Sequence, residues 1–284
     1  MNTKLTDKLA TGFFWAIGFL ILGVLAWFLW YILSAGVPHL TPDFMFGKPE
    51  DVKAGGGVGP MLFNSFYILI LSLLFSLPFG IGAGIWLAEY AKKNWFTDMV
   101  RLSTEMLASV PSIVFGLFGA LLFVTYFGLG FTILGGALTL ALLNLPVLVR
   151  VTEETLRAVP DSYREASLAL GSTKWQMIRK VLIPTSLPGL VTGITLVAGR
   201  ALGESAILIF TAGVSVSRFA PDFDLMASGA TLSVQLWYIR SEALVPDAME
   251  IAEGTAALLV LVVLLMNLLI ALPSRYLQRK ASGK

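Results

Sequence analysis

Long charge-free apolar runs alternate with short polar segments along the chain, and runs of about 20 such residues predict membrane-spanning helices. Four are visible, 13–33, 61–88, 131–149 and 255–272, and two further apolar runs, 102–127 with Glu105 and 189–212 with Arg200 and Glu204, complete six predicted spans. In chain order, the second is interrupted by Pro78 and the Gly80, Gly82, Gly84 series, and the third carries Pro111. Lys4 and Lys8 before the first run also fit a signal peptide. Such a peptide, however, has an apolar core of only about 7–15 residues, so a retained helix is expected.

Lysine and arginine give the orientation, because short cytoplasmic loops are enriched in both. With the N-terminus inside, fifteen of these residues fall on the cytoplasmic side, including Lys92, Lys93, Arg101, Arg150, Arg157, Arg164, Arg275 and Lys284. Four fall outside, namely Lys48, Lys53, Arg218 and Arg240, and Arg200 lies within a span. Both termini are therefore expected in the cytoplasm of a multi-pass protein of the cell (inner) membrane. Residues 1–60 form a first helix plus an external loop. Residues 61–284 form a core of five further helices with a cytoplasmic loop at 150–188 and an external loop at 213–250. The latter is long enough for a short helix near 226–238. The external segments 34–60 and 213–250 are either docking caps for a soluble partner or plain connections.

Composition removes other classes. Of 284 residues, 56% are hydrophobic and 13% charged, against about 25% charged in a soluble domain, so lipid must be part of the solvent. A formal net charge of +2 gives no reason to expect nucleic acid. The chain has no cysteine, which excludes disulfides and thiol chemistry. The lone His39 makes no metal site by itself and reads as a loop residue. Gly55-Gly56-Gly57 lacks the following lysine of a phosphate-binding loop, so any ATP hydrolysis must come from another chain. No set of residues suggests a membrane hydrolase.

The loop 150–188 predicts two short helices with an abrupt turn. Val159-Pro160 stops the preceding helix. Ser162 and Glu165 have capping-box spacing for a helix over 163–170 that ends at Gly171 in a left-handed cap. A second helix, 173–182, stops at Ile183-Pro184 and puts Trp175, Ile178 and Leu182 on one face. Ala166, Ser167 and Gly171 are small enough to let another protein approach closely. By composition alone, this is an interfacial hairpin or a docking element.

Arg200 and Glu204 carry charge at bilayer depth, where each costs about 2.5–3.5 kcal/mol on insertion scales. Four residues apart in a helix, they would share a face. Either they form a structural ion pair, or they line the path of a charged solute with Arg200 as the anion contact. In the second case Glu204 would keep the anion from being held too tightly. Arginine suits a phosphate because its planar fork donates two parallel hydrogen bonds. Asn64 and Ser65 at the outer end of the second span, Ser109 and Ser112 beside Pro111, and Asn144 before Pro146 either satisfy helix contacts or touch solute. Arg150 either snorkels to the interface or belongs to the inner anion path. Glu105 near the inner end of the third span caps or pairs.

Two motifs carry a resemblance. Glu165-Ala166-Ser167, three residues, Gly171, nine residues and Val181-Leu182-Ile183-Pro184 resemble the EAA loop of ABC importer permeases, with Ser, Val and Ile in place of Ala, Ile and Leu. In that family the loop forms a coupling helix that fits a groove in the cytoplasmic ATPase. The resemblance gives this role to Arg164, Glu165, Ala166, Ser167, Leu170 and Gly171. The segment 197–205, with Arg200, Gly203, Glu204 and Ser205, resembles the Ala-Arg-x-x-Gly-Glu-Thr-Ala segment of PstA-type phosphate permease subunits. Ser205 stands where Thr is usual, and Ile207 where Pro is common. Leu87-Ala88-Glu89-Tyr90-Ala91, 110–117 and 150–154 agree with the same family.

The resemblance implies an all-α integral membrane protein with a type I ABC importer permease-like bundle of six transmembrane helices. It also implies a path lined by Arg200, Glu204, Ser205, Arg150, Asn64 and Ser65. The implied partners are a second, PstC-like permease half, a PstB-like ATPase dimer holding ATP-Mg, and a soluble PstS-like phosphate-binding protein. No cofactor is expected in this chain. Another oxyanion such as sulfate or molybdate, or a channel or sensor not coupled to ATP, are the alternatives.

Overall fold

The structure is a computed structural model describing residues 3–50, 54–216, 221–242 and 245–281; Lys53, Arg218 and Lys284 lie outside it. The described residues are almost wholly helical, and their only strand-like pairing is an isolated bridge between Val216 and Gly229. Five helices are long and apolar enough to cross a bilayer, or six if one bent pair counts as a single span.

Helix α1 (Thr3–Gly36) is apolar on every side. Trp15, Trp27 and Trp30 are exposed, as expected of a helix whose neighbour is lipid. It approaches the bundle closely at its end, where a Cβ on Gly36 would lie 2.1 Å from the Glu253 carbonyl oxygen. The short α2 (Pro42–Phe46) follows, capped by the Thr41 side chain, which accepts from Phe44 N.

Helix α3 (Gly59–Ile85) ends in a π-helical turn, Trp86–Tyr90. It packs against α6 (Ile133–Arg157) through small residues. A Cβ on Gly80 would lie 2.6 Å from Leu148 Cβ, and one on Gly84 2.4 Å from Thr152 Cβ. The two contacts share one sequence offset, so the helices run parallel in register. The same offset sets Ser76, buried on the Gly80 face of α3, opposite the buried Asn144. Ser76 Oγ and Asn144 Nδ2 are buried with no hydrogen-bond partner among the described residues.

The third predicted span is not one straight helix. Helices α4 (Trp95–Ser109) and α5 (Ser112–Gly119, continued by a π-turn to Tyr126) meet at 97°. The cause is local. Val110, preceding a proline, is extended at φ −66°, ψ 133°, and Pro111 follows at φ −58°, ψ 139°. Gly119 lets α5 meet α6 closely, since a Cβ there would stand 2.3 Å from Thr139 Oγ1.

The fifth span also departs from expectation. The helix does not stop at Ile183-Pro184. It runs from α8 (Lys174–Met177) through a π-turn (Ile178–Leu182) into α9 (Ile183–Leu202). A proline breaks a helix by leaving an i−4 carbonyl without its donor. The wider turn just ahead of Pro184 relaxes that demand. Helix α9 then ends before the predicted limit, at Leu202, with Gly203 as its cap. A separate short helix, α10 (Ala206–Thr211), follows, then α11 (Leu232–Ser241) and α12 (Ala248–Ala281). Helix α11 starts later than the predicted 226–238. The main core lies around Ile68, Leu140, Leu202, Ile207 and Leu208. A second one, of Leu156, Val159, Met177, Ile178 and Leu182, closes the end that bears the loop 150–188.

Candidate functional site

Arg200 sits in the last turn of α9 and is exposed. It lines a groove of about 570 Å³ between α9 and α12, together with Thr192, Thr195, Gly199, Val263 and Asn267. Arg200 and Glu204 do not share a helix face. Because α9 ends at Leu202, the chain turns at Gly203, and Glu204 is carried into the core at 9% exposure. There its Oε1 accepts from Ile207 N at 3.4 Å, at the start of α10, and its carbonyl accepts from Ser233 Oγ at 2.8 Å. A glycine cap and an orphan N–H at a new helix start have replaced the predicted i,i+4 pair. Among the described residues, Arg200 has no ion pair or hydrogen bond, so the structural-pair reading loses its partner. Ser205 is half-buried at the N-cap of α10, where its hydroxyl makes no capping bond.

The other predicted path residues are not gathered around Arg200. Asn64 and Ser65 are buried and hold the N-terminus of α11 instead of facing an opening. Asn64 Nδ2 donates to Ala230 O at 3.2 Å, and Ser65 Oγ accepts from Leu232 N at 2.9 Å. Arg150 lines a different, smaller cavity of about 180 Å³ with Arg101, Glu105, Glu153, Glu154 and Arg157. Its guanidinium donates to Glu154 at 2.8 Å, and both side chains are more than half exposed; such a pair contributes at most about 1 kcal/mol. Deeper in this cluster, Glu153 accepts from Arg101 at 2.8 Å and lies 3.1 Å from Arg157. Both arginines also donate to the Leu87 carbonyl. This joins α3, α4 and α6 at one end of the bundle.

Helix α7 (Asp161–Ala169) lies at that same end. Its N-cap is Pro160, with no side-chain bond, so the Ser162–Glu165 capping box does not form, and Ser162 falls inside the helix. The capping box is instead at Thr173 and Gln176, where it starts α8; the Thr-x-x-Gln spacing was available in the sequence. Gly171 adopts φ +79°, a left-handed turn after α7. A side chain there would cost about 1 kcal/mol or more. Ser167 is engaged by Ser172 across this turn, with 2.7 Å between the hydroxyls.

The outward face presents Tyr163, Glu165, Ala166, Leu168 and Leu170, the last 89% exposed, and Trp175 stands exposed nearby. Arg164 turns the other way. It is 16% exposed and donates through Nε and Nη2 to Glu89 Oε1 at 3.0 and 2.8 Å. It also donates to the Val159 and Leu156 carbonyls at 2.7 and 2.8 Å, satisfying the C-terminal end of α6. Lys174 Nζ donates to the Glu89 carbonyl and stands 4.9 Å over the Tyr90 ring. Sequence reasoning had grouped Arg164 with the outward residues. Its inward direction depends on Glu89, which is distant in sequence.

Residues 80–283 match the pattern of the family described as "Binding-protein-dependent transport system inner membrane component". The "Probable ABC transporter permease protein YqgI" of Bacillus subtilis (strain 168) is 44% identical over 94% of this chain and 95% of its own length. The "Phosphate transport system permease protein PstA" of Yersinia pestis is 36% identical over 86% of this chain and 83% of its own. Among solved structures, a chain of a bacterial ABC transporter involved in import of the acidic polysaccharide alginate superposes with a TM-score of 0.64. It is 15% identical, and the match covers 92% of this chain and 96% of that one. A chain of the MetNI methionine ABC transporter in an inward-facing conformation gives 0.62 at 22% identity, with 76% and 94% covered. These structures share the fold.

Proposed function

The chain belongs to the family of binding-protein-dependent transport system inner membrane components, and from that premise we propose that it is one permease half of an ATP-driven importer of inorganic phosphate. The observation that carries this reading is Arg200, a guanidinium without a partner among the described residues, facing an open groove in the apolar bundle. A free guanidinium at this depth is costly against lipid. The cost falls if the groove faces water and a second permease half, and if it receives an anion. Two relatives named for phosphate transport, from Yersinia pestis and Haemophilus influenzae, support the choice of anion.

The machine would be completed by a second, PstC-like permease half, a PstB-like ATPase dimer binding ATP-Mg, and a soluble PstS-like phosphate-binding protein. The basic end bearing α7 would lie in the cytoplasm, with both termini on that side. The exposed Tyr163, Leu168 and Leu170 face on α7 would seat in the ATPase. Closure of the ATPase dimer would push α7 and switch the groove between outward and inward access.

The test is ATP-dependent uptake of radiolabelled phosphate by vesicles holding the assembled complex, with wild-type chain or Arg200→Gln. A charge-assisted hydrogen bond contributes about 1.5–3 kcal/mol, so uptake should fall roughly 10- to 100-fold while ATP hydrolysis continues. Normal uptake by Arg200→Gln would remove Arg200 from the path. Wild-type vesicles that import sulfate or molybdate but no phosphate would overturn the choice of anion.

A further inference from the structure

The groove beside Arg200 has a second wall, formed by α12, and its chemistry differs from that of the first. Asn267 is half-buried there and has no hydrogen-bond partner among the described residues. Its carboxamide lies over Gly199, where a Cβ would stand 3.5 Å from Oδ1 and 3.9 Å from Nδ2. Asn267 lies within the apolar span Ala248–Ile270, and so within the hydrocarbon layer, about 30 Å thick. An unpartnered amide at that depth needs a polar companion.

The hydroxyls on the α9 wall are already oriented. Thr192 Oγ1 donates to Pro188 O at 2.9 Å, and Thr195 Oγ1 donates to Val191 O at 2.8 Å. With their protons used on their own helix, these oxygens present only acceptor lone pairs to the groove. Asn267 adds one more acceptor, Oδ1, and two N–H donors. The groove thus pairs a strong donor set on Arg200 with a set of acceptors. A fully deprotonated oxyanion, such as sulfate or molybdate at neutral pH, offers nothing to those acceptors and would meet them lone pair to lone pair. Phosphate and arsenate keep at least one hydroxyl near neutral pH and satisfy both sets. Burying an acceptor against a ligand that cannot donate leaves it unpaired, the mismatch by which polar sites reject near-isosteres.

We infer that Asn267, with Thr192 and Thr195, forms the acceptor side of an anion station whose donor side is Arg200, and that it selects tetrahedral oxyanions that retain a proton. This rests on the phosphate-import reading and names its selectivity device. The groove is open, so the second permease half would supply the remaining wall.

The absence of cysteine makes the test direct. Asn267→Cys would be the sole thiol in the complex when the other subunits are cysteine-free. A water-soluble anionic thiol reagent reacts with a thiolate that water can reach. In reconstituted complex, Asn267→Cys should react, and millimolar phosphate or arsenate should slow the reaction at least fivefold while sulfate leaves it unchanged. Leu265→Cys, an exposed apolar position on the same helix, should stay unlabelled. In parallel, Asn267→Leu should lower phosphate uptake about tenfold with ATPase activity and assembly intact, and Asn267→Gln should restore most of it. Failure of Asn267→Cys to react, equal rates with and without phosphate, or equal protection by sulfate would each overturn the inference. If those failures occur while wild-type vesicles import phosphate, the station is wrong and the importer stands. If wild-type vesicles import none, both fall.

Discussion

Gly84→Leu is expected to lower the melting temperature and the recovery of folded permease strongly, whereas Gly82→Leu, two positions away, leaves both unchanged. At Gly84 a Cβ would meet Thr152 Cβ at 2.4 Å and the Val149 carbonyl oxygen at 2.8 Å. No rotamer change moves a Cβ, and the carbonyl likewise belongs to the α6 backbone, so both contacts yield only if the helices part. Thr152 is itself buried at 2% exposure. Overpacking of this kind costs about 3 kcal/mol, a large share of a native stability of roughly 5–15 kcal/mol. Separation of α3 from α6 would also expose Ser76 and Asn144 to lipid. At Gly82, a Cβ would meet nothing within 4 Å. The measurement is the amount of monodisperse complex recovered in detergent and its melting temperature. Equal loss with both variants would show that glycine is needed at this end of α3 for some reason other than the α6 contact.

The second large effect is expected at the Arg164 clamp. Arg164→Ala should leave ATP hydrolysis largely in place and cut phosphate taken up per ATP at least tenfold. Removing the guanidinium strands Glu89, whose side chain is 5% exposed, and frees two carbonyls at the end of α6. Breaking a buried pair on one side costs about 3–5 kcal/mol, and here it falls on the joint between α7, α3 and α6. If α7 is the element that meets the ATPase, as proposed above, its outward residues still dock in this variant, but a push on them tilts α7 and not the spans behind it. Arg164→Lys should restore little, since a lysine lacks the fork that reaches Glu89 and both carbonyls together. Arg164→Gln with Glu89→Gln should recover part of the ratio by removing the stranded charge, and the cycle measures the pair. An unchanged ratio of uptake to hydrolysis in Arg164→Ala would mean that force reaches the bundle elsewhere, through α8 and α9.

Much of the fold was legible because lipid imposes a simple rule on composition. The first, second, fourth and sixth spans follow from apolar length alone, and Gly171 was correctly read as a left-handed turn. Direction within a span was not legible. A hydropathy window averages over Val110-Pro111 and cannot register that the chain turns by 97° there. Proline also misled in the opposite sense. Ile183-Pro184 looked like a stop, but the π-turn before it carries the helix through.

At the site, the residue Arg200 was legible and its relation to Glu204 was not. The i,i+4 argument assumes an unbroken helix, and Gly203 ends it one residue too early. Asn267 could not be found from sequence, since one amide in an apolar run carries no sign of the helix it faces. The resemblance groups Arg164 with the coupling residues of the motif, and its partner Glu89 lies 75 positions earlier in the chain.

The parallel register of α3 and α6 also sets where this chain can tolerate a change in length. One residue added between Ser76 and Gly80 would turn everything before it by about 100° around the helix axis. Ser76 would swing away from Asn144. An extra residue in the link 91–94 or in 128–131 leaves every one of those pairs in place. The ruler of the bundle is therefore ruled along its helices, and its slack lies in the joints between them.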